Sequence, residues 1–235
     1  MATKKSMWVL WGFFIVVVWS FLSQQPFAQA QQTVVPVDQE PRHRTVFQNQ
    51  NVRIYDVLIP PGDQSLFHKH SFDTFAIVLS GEKLKGERLG KAPNESPMLT
   101  GSVGFNEAPY THRIENVGTT PIRMIGVEVL SASSSPGVPA VLNSVPGHSL
   151  VLENNRATIY RVSIDPDQST GIRSRTLPWL RVSITQGTIS VQRPGKDPET
   201  IETKVGDYRW DEGATTDSIK NIGSTKYEAI EIEWK

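Results

Sequence analysis

The sequence predicts an all-β protein in which one sandwich- or barrel-like unit occurs twice. Three observations predict it. Short β-rich runs recur after residue 30, at 52–59, 74–79, 122–130, 158–164, 180–185, 188–192 and 227–234. They are broken by Pro60-Pro61-Gly62, Ser80-Gly81, Gln186-Gly187 and Pro194-Gly195. Many short strands with Gly and Pro punctuation suggest a sandwich or barrel. Helical periodicity is hard to find in the same stretch. Finally, the chain repeats itself at a nearly constant offset.

The repeat is visible in four segments. His112-Arg-Ile-Glu-Asn116-Val-Gly118-Thr-Thr120 matches Asp217-Ser-Ile-Lys-Asn221-Ile-Gly223-Ser-Thr225 at an offset of 105. Gly101 and Glu107 fall on Gly206 and Glu212, and Ile54-Tyr55 on Ile159-Tyr160, at the same offset. Asp63-Gln64-Ser65 matches Asp167-Gln168-Ser169 at 104. A repeat this long is a duplicated domain, since solenoid units span about 20–50 residues.

Along the chain, residues 1–30 read as a signal peptide. Lys4 and Lys5 precede a 16-residue apolar run from Met7 to Leu22, and Ala28-Gln29-Ala30 supplies a cleavage site. A retained membrane anchor is the alternative, although a span needs about 20 residues. The expected location is therefore periplasmic or secreted. Residues 31–42 look like a loose lead-in, with 34–37 able to pair as an edge strand. The first copy runs over 43–131. A Ser/Pro/Gly linker covers 132–147, and the second copy covers 148–235.

Composition narrows the function. The chain has no cysteine, which removes disulfides, thiolate ligands and cysteine nucleophiles. Residues 1–30 carry two lysines and no acid, so their loss takes the formal charge from 0 to −2. A near-neutral chain offers no electrostatic ground for binding nucleic acid.

Three of the five histidines form the candidate site. His68 and His70 are two residues apart, so on a strand they share a face. His112 follows 42 residues after His70. Three imidazoles on neighbouring strands can hold a metal and leave positions for a ligand. His43 and His148 begin the two copies at the repeat offset and read as structural.

At these residues the chain resembles a bicupin, two tandem cupin domains of double-stranded β-helix or jelly-roll form. Gly62, His68, His70 and Gly81 fall in register on the family's first motif, and Gly101, His112 and Asn116 on its second. The resemblance covers about 43–131 directly and reaches 148–235 through the repeat. Thr74 stands where the family places a glutamate ligand, and Glu107 and Pro109 where it places Pro and Gly. The resemblance therefore implies a three-histidine site, with His68, His70 and His112 as metal ligands.

Three neutral imidazoles leave a divalent ion its full charge, which favours anionic or chelating ligands. They suit Fe, Ni, Cu or Zn. Thr74 could orient a bound water. The function implied is a dioxygenase or other small-molecule-modifying enzyme; the alternative is a non-catalytic binding or scaffold protein with a vestigial pocket. Cupins often dimerise, so a homodimer is a further expectation.

The second copy has no such site. Asp217 replaces His112, and Ile172-Arg173-Ser174-Arg175 replaces the His-x-His segment. Arginine stays protonated and does not ligate metals. These arginines read as partners of Asp217 or, alternatively, as an anion clamp. Glu107 reads either as a general base at the pocket mouth or, with Glu212, as a turn residue.

Overall fold

A computed structural model of the chain describes residues 33–132 and 137–235. The expected signal segment lies outside the described residues. Among them there is no α-helix; one 3-10 turn accompanies nineteen strands. The first copy contributes β1 (Val34–Pro36), β2 (His43–Gln48), β3 (Val52–Ile59), β4 (Phe67–His70), β5 (Thr74–Ser80), β6 (Lys83–Arg88), β7 (Asn94–Pro97), β8 (Val103–Asn106), β9 (Tyr110–Asn116) and β10 (Ile122–Val129). The second contributes β11 (His148–Glu153), β12 (Ala157–Ile164), β13 (Arg173–Arg175), β14 (Trp179–Ser183), β15 (Gly187–Gln192), β16 (Glu199–Thr203), β17 (Tyr208–Asp211), β18 (Thr215–Asn221) and β19 (Tyr227–Trp234).

Each copy folds into two facing sheets. The first has the orders β1-β4-β9-β6-β7 and β2-β3-β10-β5-β8; the second has β13-β18-β15-β16 and β11-β12-β19-β14-β17. The chain crosses between the two sheets at most steps, which winds it into a jelly-roll barrel. The lead-in is firmer than expected. β1 pairs in parallel with β4, placing Val35 beside His68, and Val37 is buried.

Period-2 alternation sorts each strand's residues between two cores. On β3, Tyr55, Val57 and Ile59 point into the first barrel, whereas Val52 and Ile54 point out of it. The outward residues join a core shared by both copies. Its sixteen fully buried members form eight pairs at an offset of 105, among them Ile54 with Ile159, Ile77 with Val182 and Val127 with Ile232. The two halves therefore meet through the same face of each. Asp73 adds a polar tie across the halves, accepting a hydrogen bond from Arg156 Nε at 2.7 Å.

The repeated Asn-x-Gly-x-Thr segments are turn chemistry. Asn116 Nδ2 donates to the carbonyls of Ile59 and Thr120, and its Oδ1 accepts from Gly118 N. Asn221 makes the same three bonds with Ile164, Thr225 and Gly223. The match of 63–65 to 167–169 needs correcting by one residue. Gly62 N donates to Asn116 O just as Asp167 N donates to Asn221 O, an offset of 105. Gly62 and Asp167 both have positive φ, 75° and 61°. Aspartate tolerates that left-handed conformation, so the turn survives without glycine.

The second half of the expected linker is anchored to the second copy at particular residues. Leu142 is buried, and Ala140 N donates to Glu233.

Candidate metal centre

Strand register brings the predicted histidines together. His68 and His70 lie on β4, and His68 stands directly opposite His112 on β9. The ring centroids of His68 and His112 are 4.5 Å apart, and those of His68 and His70 5.0 Å. His70 Nε2 and His112 Nε2 face each other at 3.3 Å.

His43, read from sequence as structural, joins this cluster. It enters from the opposite sheet at the start of β2, with its ring centroid 4.3 Å from that of His68. Ligand atoms of His43, His68 and His70 all lie within 4.8 Å of one another. The reading failed because the side a strand residue faces depends on register. His43 pairs with Val57, an inward-facing residue.

The ring tautomers follow from their partners. His68 Nδ1 donates to Leu66 O at 2.9 Å, His43 Nδ1 to Glu40 Oε2 at 2.6 Å, and His70 Nδ1 to Glu128 Oε1 at 3.3 Å. A neutral imidazole that donates from Nδ1 carries a bare lone pair on Nε2. Metal-ligating histidines are oriented by the same kind of contact to a carboxylate or backbone carbonyl.

Glu128 is itself fixed, accepting from Tyr55 Oη at 2.7 Å and Arg53 Nη1 at 3.1 Å. Glu40 also accepts from the backbone N–H groups of Arg42 and Leu66.

Burial favours the neutral form of His68, His70 and His112. Burial, reinforced by His43, pushes His68 down to about 3. Burial holds His112 well below its ordinary value, with His68 and His70 adding to the effect. Burial also lowers His70, although Glu128 opposes the shift. Neutral imidazole is the form that binds metal.

His68 Nε2 is fully buried and has no hydrogen-bond partner among the described residues. An orphaned buried acceptor costs about 1–3 kcal/mol. A cation between the rings would satisfy it, so this group of histidines suits a metal.

A cavity of about 320 Å³ opens beside the cluster, lined by His43, His70 and His112 together with Thr74, Ala76, Gly86, Tyr110, Met124 and Gly126. Thr74 donates its hydroxyl to Phe72 O and lies 3.2 Å from His70 Nδ1, so it is engaged with the protein and with the His70 ring. Glu107 is exposed and does not line this cavity. Asp73 points to the boundary between the halves.

The second barrel shows what fills this space when no site is present. Register makes Arg173, Arg175 and Asp217 the counterparts of His68, His70 and His112, and His148 that of His43. Glu231 stands where Gly126 stands, Arg181 where Ala76 stands, and Val191 where Gly86 stands. The aromatic ring changes strand: Thr74 and Tyr110 become Trp179 and Thr215, joined by a 2.7 Å bond from Trp179 Nε1. Arg173 pairs with Asp217 at 2.8 Å, as the sequence suggested, and also with Glu231 at 2.9 Å.

Several solved structures share this paired-barrel arrangement. AerE from Microcystis aeruginosa matches with a TM-score of 0.61 at 13% identity, over 83% of this chain and 98% of that one. Salicylate 1,2-dioxygenase from Pseudaminobacter salicylatoxidans matches with a TM-score of 0.57 at 13% identity, over 78% of this chain and 71% of that one. Oxalate decarboxylase from Bacillus subtilis matches at 0.59 and 11% identity, over 78% and 68%. The fold is that of a bicupin. At these identities the likeness is one of fold. No protein-family model and no curated sequence matches the chain. The histidine geometry therefore carries the functional reading.

Proposed function

We propose that the first barrel holds one divalent transition metal through His68, His70 and His112, with His43 as a fourth nitrogen, and that it modifies a small anionic or chelating molecule drawn into the adjoining cavity. The observation that carries this is the bare, buried Nε2 of His68 in a cluster where the Nδ1 atoms of His43, His68 and His70 are tied back to acceptors. An all-imidazole set favours Fe, Ni, Cu or Zn. The bound ion would supply Lewis acidity or access to oxygen chemistry. Burial favours neutral rings at His68, His70 and His112, the Nδ1 contacts orient His43, His68 and His70, and the barrel shapes a cavity beside them. Oxygen-dependent cleavage is the reaction class we favour; among proteins of the same fold is a salicylate 1,2-dioxygenase. The N-terminal lysines, apolar run and Ala-x-Ala site support export from the cytoplasm.

Metal analysis of the purified protein tests this. We expect one equivalent per chain, lost in the His68→Ala/His70→Ala variant. No metal uptake under either reducing or metal-supplemented conditions would rule the proposal out. Metal uptake without oxygen consumption across a substrate screen would favour a binding role. Glu128→Gln should weaken metal affinity by about 10–100-fold, because the His70 ring loses its orienting carboxylate. A competition titration with a chelator checks this, and unchanged affinity would show that Glu128 does not position the ring.

A further inference from the structure

In the second barrel, the counterparts of the clustered histidines surround a carboxylate. Arg173 Nη1 donates to Glu231 at 2.9 and 3.0 Å, Arg175 Nη2 also donates to it, and His148 Nε2 lies 3.5 Å from Glu231 Oε2. These three residues occupy the positions of His68, His70 and His43. They are the same three whose ligand atoms converge in the first barrel. Two guanidinium groups supply the positive charge there, and the glutamate answers it. The first barrel keeps the converging residues and has glycine where the glutamate would be.

Gly126 is not explained by backbone needs. It lies in the middle of β10 and is not among the glycines with positive φ. An added Cβ would meet nothing closer than Tyr55 at 3.6 Å. Glycine inside a strand weakens it and often marks a place where a ligand comes close. Ala76 and Gly86 extend the same opening, and Leu84, Ile114 and Met124 give it an apolar wall.

We infer that the first barrel takes a small carboxylate with an apolar body: its carboxylate lies over Gly126 against His43, His68 and His70, and its body over Ala76 and Gly86. The second barrel supplies this carboxylate from its own chain. This inference rests on the metal reading above, since a cation must take the part of the two arginines.

The test uses the full chain loaded with Co²⁺, read by its visible spectrum while benzoate or neutral benzamide is added. Benzoate should give a saturable change and benzamide none. Gly126→Glu places a carboxylate in the site from within the chain, so benzoate affinity should fall by roughly a hundredfold. Gly126→Ala should leave the response in place. Failure to take up Co²⁺ overturns the metal reading and this inference with it. Uptake followed by equal responses to benzoate and benzamide, or by benzoate binding that Gly126→Glu does not weaken, overturns this inference alone. Should Gly126→Glu not fold, the contrast between benzoate and benzamide on the unaltered chain decides.

Discussion

Arg173→Ala is expected to destabilise the protein by about 3–5 kcal/mol, the usual cost of removing one member of a buried charge network. Arg173 is 2% exposed and bonds both Asp217 and Glu231, each equally buried. Among the described residues, its loss leaves Asp217 with Arg175 alone, at 3.7 Å, and a void in the barrel interior. A half-exposed ion pair on the first copy provides the comparison. Arg113→Ala breaks the 2.8 Å contact with Glu87 and should cost under about 1 kcal/mol. Urea unfolding of the two variants side by side checks both values. Equal, small losses would mean that water reaches the Arg173 network.

Acid sensitivity of the metal-free protein is the second large effect. In the unfolded chain His68 takes up a proton near its ordinary value of 6.5, whereas in the folded chain burial delays this to about 3. Between those values the unfolded state binds the extra proton, so stability falls as pH drops. The contribution is intact above about 6.5 and is lost progressively toward 3. Each pH unit within that window removes about 1.4 kcal/mol for such a histidine. His70 and His112 shift in the same direction and should steepen the slope. Urea midpoints of chelator-treated protein at pH 7 and pH 5 test this. The His68→Ala variant should show a shallower dependence, and a flat response in the unaltered protein would refute it.

Much of this was legible in the chain. All seven apolar runs became strands, because short runs rich in β-branched residues suit strands, and six of them lie in the two sheets whose faces are both buried. Several of the strands that went unnoticed are polar. β7 reads Asn-Glu-Ser-Pro and is largely exposed; nothing in it distinguishes edge strand from loop. Within the site, His68, His70 and His112 were visible through motif spacing. His43 was not, because its place in the cluster depends on pairing across two sheets. Glu128 and Glu40 were hidden for the same reason: each lies far along the chain from part of what it touches. The hollow beside the histidines was also invisible, since Ala76, Gly86 and Gly126 acquire meaning only beside Arg181, Val191 and Glu231.

The shared core has a consequence for how one half can afford an open interior. Eight residues of one copy meet their own eight counterparts. A patch that complements itself is what a two-fold dimer of single barrels requires. Joined in one chain, that association no longer depends on protein concentration. The union also consumes the patch, so any assembly between chains must use another surface. Natural selection then acts on two interiors that share one foundation. The second is filled with arginine, glutamate and tryptophan and acts as a solid buttress. The first, leaning on it, can keep bare nitrogens and empty space that an isolated barrel of its size could ill sustain.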